Sequence, residues 1–224
     1  MTVTRQSSKE AWSNFNVGRK LFTYMADYDR NMARLLTGIC QKKQVIVEYG
    51  CGDGIWTEYL AKQFPKKQFI GVEWNENLAQ YARVKRFQNL KNVEFHQEDA
   101  TQFYMDCDVF FAFGVVEHFD EASNVMKKWT EHLSPNGFAV ITAPNLLNSL
   151  HNVSRHKLTL EEIESKDEVV VTSYGFEQLW SHNVFIKKVM DAGLEILLFR
   201  IIEELKSERP MLAVAFKRPK KEVK

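Results

Sequence analysis

Cysteine is scarce. Cys40, Cys51 and Cys107 are an odd number at wide spacing, which speaks against a disulfide framework and against the paired spacing of a structural zinc site. Reduced thiols are the expectation. An excess of one charge is also lacking: 30 Lys plus Arg face 29 Asp plus Glu, so no global positive field gathers nucleic acid or anionic lipid. No apolar run approaches the roughly 20 residues that span a bilayer, and the polar residues 1–10 lack the apolar centre of a signal peptide. A cytoplasmic protein with no membrane partner is expected. No obvious acidic cluster offers an oxygen-rich magnesium site, so no metal is expected either.

Apolar residues at 45% and charged residues at 26% supply an ordinary globular core. A chain of 224 residues fits one domain, because single cores stop growing at roughly 250–300 residues. Residues 20–40 carry Leu21, Tyr24, Met25, Tyr28, Met32 and Leu35 at helical spacing, ending at Gly38. From residue 45 onward short β-branched runs alternate with helical ones. Strands are predicted at residues 45–49, 68–72, 93–96, 109–113 and 138–142, and helices at 55–64, 76–87 and 121–133. Ala122, Val125, Met126, Trp129 and Leu133 share one face of the last helix, and residues 134–137, Ser-Pro-Asn-Gly, make a turn.

This alternation predicts an α/β fold with a doubly wound, mostly parallel sheet covered on both faces. The beat is lost from Pro144 to about Gly175, a stretch with a locally acidic run from Glu161 to Glu168, read as an insertion after the fifth strand and over the site. A helix at residues 183–192 and two apolar runs, 194–202 and 211–216, then predict an antiparallel pair at one end of the sheet. The expected organisation is an amino-terminal helical cap (1–43), a core (44–143), a substrate-side insertion (144–175), a carboxy-terminal part of the core (176–217) and a basic tail (218–224).

Residues 45–54, VIVEYGCGDG, run a buried strand into a loop with glycine at positions 50, 52 and 54. Glycine at every second place removes Cβ atoms where backbone turns tightly and a ligand lies against it. A dinucleotide fingerprint starting at Gly50 needs glycine where Ile55 stands, and a phosphate loop needs Gly-Lys-Ser/Thr, which is absent.

The loop resembles the first motif of the class I S-adenosylmethionine (SAM)-dependent methyltransferases, acidic-x-Gly-x-Gly-x-Gly, in Glu48, Gly50, Cys51, Gly52, Asp53 and Gly54. Four further segments resemble that family in order. Residues 69–73, Phe-Ile-Gly-Val-Glu, end on Glu73, an acid that the resemblance places on the ribose hydroxyls, with Trp74 next to it. Glu98-Asp99-Ala100 resembles the segment that reads adenine, with Asp99 accepting from the amino group. Residues 110–119 resemble the loop after the fourth strand, with Phe113 and Gly114 at the cofactor and Glu117 and His118 beyond. Residues 133–142 resemble the approach to the fifth strand.

The resemblance implies a Rossmann-like fold, SAM as cofactor, and methyl transfer to an oxygen or nitrogen of a small molecule by direct displacement. Aligning nucleophile, methyl carbon and sulfur while excluding water is then most of the protein's task. A base is needed only where the acceptor holds a proton near neutrality, and Glu117, His118 and His151 are the candidates, since ligands sit beyond the carboxyl ends of the strands. Residues 143–151 also resemble small-molecule and sugar O-methyltransferases, with Asn152 where those carry arginine. Trp12, Phe15, Tyr24, Trp74 and Phe113 are aromatics that could face the sulfonium or the adenine. Two other readings stand beside this one. The basic tail suggests a nucleic-acid methyltransferase, although residues 113–116 lack the Pro-Pro-Tyr/Phe pattern of base amino-methylation and no proline precedes a cysteine. A non-catalytic SAM-binding module would keep the glycine loop and Glu73 alone.

Overall fold

The computed structural model describes residues 26–172, 176–202 and 210–217. The basic tail from residue 218, Trp12, Phe15, Tyr24 and the amino-terminal part of the expected helical segment fall outside them. Helix α1 (Ala26–Cys40) leads into β1 (Val45–Tyr49), α2 (Ile55–Gln63), β2 (Gln68–Val72), α3 (Glu76–Tyr81), β3 (Val93–His96) and β4 (Cys107–Phe113). There follow α4 (Ala122–Glu131), β5 (Leu133–Ala143), α5 (Ser149–His156), α6 (Leu160–Ser165), β6 (Glu168–Val171), β7 (Glu177–Trp180), α7 (His182–Asp191), β8 (Glu195–Ile201) and β9 (Met211–Phe216).

Seven strands form one sheet in the order β3-β2-β1-β4-β5-β9-β8. All pairs from β3 to β5 are parallel, whereas β9 lies antiparallel to both β5 and β8. The doubly wound sheet with an antiparallel carboxy-terminal strand is therefore as the pattern predicts. Strand alternation divides the core in two. Val47, Tyr49, Phe110, Ala112, Ala139 and Ile141 pack on one face with α4 and α7. There Tyr49 stacks on Trp129 with centroids 4.0 Å apart, and the indole Nε1 donates to Ala100 O at 2.9 Å. Ile46, Phe69, Val109, Phe111 and Val140 pack on the other face with α1 and α2. Nearly continuous apolar runs are what a parallel sheet buried on both faces requires.

Three local features differ from expectation. Residues 134–137 do not form a separate turn. They lie inside β5, where the pairing with β4 jumps from Cys107–Leu133 to Val109–Phe138 and Asn136 takes a φ of 61°. The helix expected over 76–87 keeps its length but changes winding, because Ala82–Phe87 is a π-turn. The stretch after Pro144 is not irregular. It carries α5, α6 and β6, and β6 pairs antiparallel with β7 in a separate two-stranded sheet. Leu146, Leu158, Ile163, Val169, Val171 and Leu179 form its own small apolar cluster.

Candidate active site

Parallel β1, β2 and β4 end side by side, with Tyr49 paired to Val72 and Glu48 to both Gly71 and Phe111. Their following loops therefore meet at one edge, on either side of the point between β1 and β4 where the winding reverses. In open α/β sheets this crevice is where ligands bind.

Gly50, Gly52 and Gly54 all have positive φ, at 67°, 56° and 78°. Their surroundings differ. A Cβ at Gly50 would collide with the Val115 side chain and one at Gly54 with the Phe87 ring, so the loop is pressed against the β4 loop and the π-turn. A Cβ at Gly52 would meet nothing within 4 Å. Only there does the bare backbone face open space, which suits a ligand lying along it. Glu48, at the end of β1, is buried and turned the other way: Oε2 accepts from Thr57 N at 2.9 Å and from the Thr57 hydroxyl, tying β1 to the first turn of α2. Burial pushes its carboxyl up to about 8. Cys51 is buried, its N–H donating to Val72 O at 2.9 Å.

Glu73 sits one residue past β2 with both carboxylate oxygens oriented. Oε2 accepts from Gly52 N at 2.9 Å and Oε1 from Asn75 N at 2.8 Å. Asn75 in turn caps α3, its Oδ1 accepting from Leu78 N. A carboxylate offers about four acceptor positions, so the two N–H bonds aim the group while leaving it capacity for further donors. Burial raises the Glu73 pKa, and these N–H bonds oppose that rise. Trp74, next along, is half-buried. Past β3, Asp99 Oδ1 accepts from Thr101 N and Oγ1 at 2.9 and 2.8 Å, a tight turn that presents buried Ala100.

After β4, half-buried Phe113 leads to Gly114, whose φ is 65° and whose N–H donates to Thr142 Oγ1 on β5 at 3.1 Å. Val116–His118 form one 3-10 turn. Glu117 is buried in it, with Oε1 3.5 Å from where a Gly114 Cβ would be. His118 is half-buried and its Nδ1 lies 2.7 Å from Phe176 O. A carbonyl only accepts, so Nδ1 carries the hydrogen, and the neutral ring's basic nitrogen is Nε2. Gln178 on β7 reinforces this junction by donating to Phe119 O at 3.0 Å.

His151 lies on α5, beside the buried His156 with ring centroids 5.9 Å apart. That contact is made within α5 and not with the His118 turn. Asn152 is buried, and its Nδ2 donates to Asn145 O and Leu146 O at 3.1 and 2.7 Å, fixing the chain as it leaves β5. Sequence reasoning passed over Thr57, Asn75, Arg86, Thr142 and Gln178. Only Asn75 carried a local signal, as an Asn before a helical run.

The donor set and the open backbone at Gly52 fit SAM: an anionic acceptor beside a bare loop, in a crevice between parallel strands. A family model described as a methyltransferase domain matches residues 18–179, most of the chain. The chain belongs to the methyltransferase family. Membership and fold together assign it SAM as cofactor. Over 136 residues it is 29% identical to a malonyl-[acyl-carrier protein] O-methyltransferase of Bacillus cereus, covering 57% of this chain and 50% of that one. Over 124 residues it is 26% identical to a trans-aconitate 2-methyltransferase of Deinococcus radiodurans, covering 54% and 45%. The chain spans about half the length of these curated relatives. The N-methyltransferase NodS of Bradyrhizobium japonicum, solved with S-adenosylhomocysteine, has the same fold at a TM-score of 0.67 and 14% identity, covering 96% of this chain and 98% of that one. Among the described residues no helix is long and apolar enough to cross a membrane.

Proposed function

We propose that this protein methylates a proton-bearing oxygen or nitrogen of a small molecule, with His118 Nε2 as the base. SAM, when bound, supplies an electrophilic methyl group on a sulfonium. Gly52 gives it backbone to lie on, Glu73 accepts from the ribose hydroxyls, the turn at Asp99 and Ala100 borders the adenine, and Trp74, Phe113 and Gly114 complete the walls. The observation that carries the base assignment is the 2.7 Å contact between His118 Nδ1 and Phe176 O. It fixes the tautomer and ring orientation, which a general base needs before its pKa matters. The insertion from residue 144, with β7 beside the His118 turn, is the wall that selects the acceptor.

The relatives' names favour a second reading. Malonyl groups and trans-aconitate carry carboxylates, which are ionised at neutral pH and need no base. Under that reading His118, protonated at Nε2, orients the acceptor by donating a hydrogen bond to its carboxylate.

The two separate in one experiment. Labelled methyl transfer from SAM is measured against hydroxyl-, amine- and carboxylate-bearing metabolites, with RNA in parallel. Turnover of a hydroxyl or amine acceptor that falls at low pH supports the base. Turnover confined to carboxylic acids selects the second reading, and labelling of RNA alone overturns both.

A further inference from the structure

The π-turn Ala82–Phe87 follows α3 without a break. Such turns are rare and concentrate at functional sites, since one inserted residue rotates the rest of the helix by about 100° around its axis. Here the rotation delivers two neighbouring side chains to the glycine loop. The Phe87 ring lies where Gly54 could carry no side chain, and 3.6 Å from a Cβ placed on Gly71. Arg86 Nη2 donates to Asp53 Oδ2 at 2.8 Å, and Nη1 donates to Glu58 Oε2 at 2.9 Å. All three charged side chains are well shielded, at 12 to 16% exposure. Asp53 stands between Gly52 and Gly54, and Glu58 lies on the first turns of α2. The guanidinium therefore bridges the loop to the helix that follows it.

We infer that Arg86 is a positioning residue for the cofactor: its two-armed bond to Asp53 and Glu58 holds the glycine loop in the left-handed shape that SAM requires. Glycine at three alternate positions leaves the loop many other shapes, and confining it to one costs conformational entropy. Gly50 is braced by Val115, Gly54 by Phe87 and the Gly52 N–H by Glu73 Oε2 at 2.9 Å, but no side chain packs within 4 Å of a Cβ at Gly52. The charge pair on Asp53 is the brace next to it. A planar fork reaches both carboxylates at once, whereas an ammonium is a single point charge.

The inference rests on SAM binding at this loop and not on the base assignment, so it is tested without an acceptor. S-adenosylhomocysteine affinity is measured by calorimetry for the wild type, Arg86→Lys and Arg86→Met, and amide hydrogen exchange is followed in the apo proteins. The expected result is at least a tenfold loss of affinity in Arg86→Met and a smaller loss in Arg86→Lys. Exchange should quicken at residues 52–54 while β4 and β5 stay as protected as in the wild type. If Arg86→Met fails to fold, Asp53→Ala removes the same acceptor from the loop side and must give the same two changes. Affinity within twofold of wild type, or faster exchange spread evenly over the sheet, overturns the inference. Wild-type protein that fails to bind S-adenosylhomocysteine would instead remove the cofactor assignment itself.

Discussion

The backbone N–H of Gly52 donates to Glu73 Oε2 at 2.9 Å, so the bare point of the β1 loop and the acid after β2 are held at a fixed separation. Glu73 thus anchors the loop, and under the proposed function it accepts from the ribose as well. Losing an ionic acceptor that serves several donors costs roughly 1.5–3 kcal/mol, or about ten- to a hundredfold in affinity. Glu73→Ala should lose SAM binding on at least that scale by calorimetry. An unchanged dissociation constant would remove Glu73 from the cofactor site.

Gly52→Val should fold and fail to bind SAM. Nothing in the protein stands within 4 Å of the new Cβ, so the fold has room for it, while the ligand does not. The φ of 56° adds a strain of about 1–2 kcal/mol for a residue with a Cβ, which lowers the melting temperature by about 2–8 °C. Melts with and without SAM decide the matter: a variant that SAM still stabilises to the wild-type extent places the cofactor elsewhere.

His118→Ala should leave SAM affinity nearly intact and lower the methylation rate by about 10²–10⁴ at neutral pH. The deficit should shrink as pH rises towards the acceptor's own pKa, where the nucleophile no longer needs a base. A rate loss equal at all pH values, or below about tenfold, assigns the step to positioning or to Glu117.

Glu48 predicts a pH dependence of stability. Its folded pKa, about 8, lies above the ordinary carboxylate value of 4.5 because burial disfavours the anion. The folded state therefore holds the proton more tightly than the unfolded one. The stability this contributes is fully present below about pH 4.5 and is lost progressively as pH rises through 8. One pKa unit corresponds to about 1.4 kcal/mol, or roughly 3–6 °C for a chain of this size. Glu48→Gln keeps an acceptor for Thr57 and should flatten the decline in melting temperature between pH 5 and 8. Parallel curves for variant and wild type would show that Glu48 does not titrate in that window.

Local rules enforce the parts of this molecule that were legible in the sequence. Val45–Tyr49 and Cys107–Phe113 are apolar runs that only a doubly covered strand accommodates, and the glycines at 50, 52 and 54 stand where φ is positive. The parallel pairing of the strands around that loop followed from the βαβ alternation. The illegible parts depend on partners distant in sequence. Glu177–Trp180 reads as neither strand nor helix because its partners are remote: Gln178 donates to Phe119 O, and Trp180 packs in the core against Phe185 and donates to Glu168. Arg86 reads as one more surface cation on a helix, since nothing near it announces a π-turn or a pairing with Asp53 across 33 positions. Glu48 matches the family motif, yet the structure turns it towards Thr57, a contact the motif does not encode.

Strand β9 lies between β5 and β8, with Met211 to Ala215 buried, although it is the last described element of the chain. During synthesis β5 therefore emerges with an unpaired edge, and it stays unpaired until at least 68 further residues, from Ala143 to Met211, have followed. An open, apolar edge is a template for pairing with other chains. Until then β8 too has no partner in this sheet, and the carboxy-terminal pair joins β5 only when β9 settles between the two.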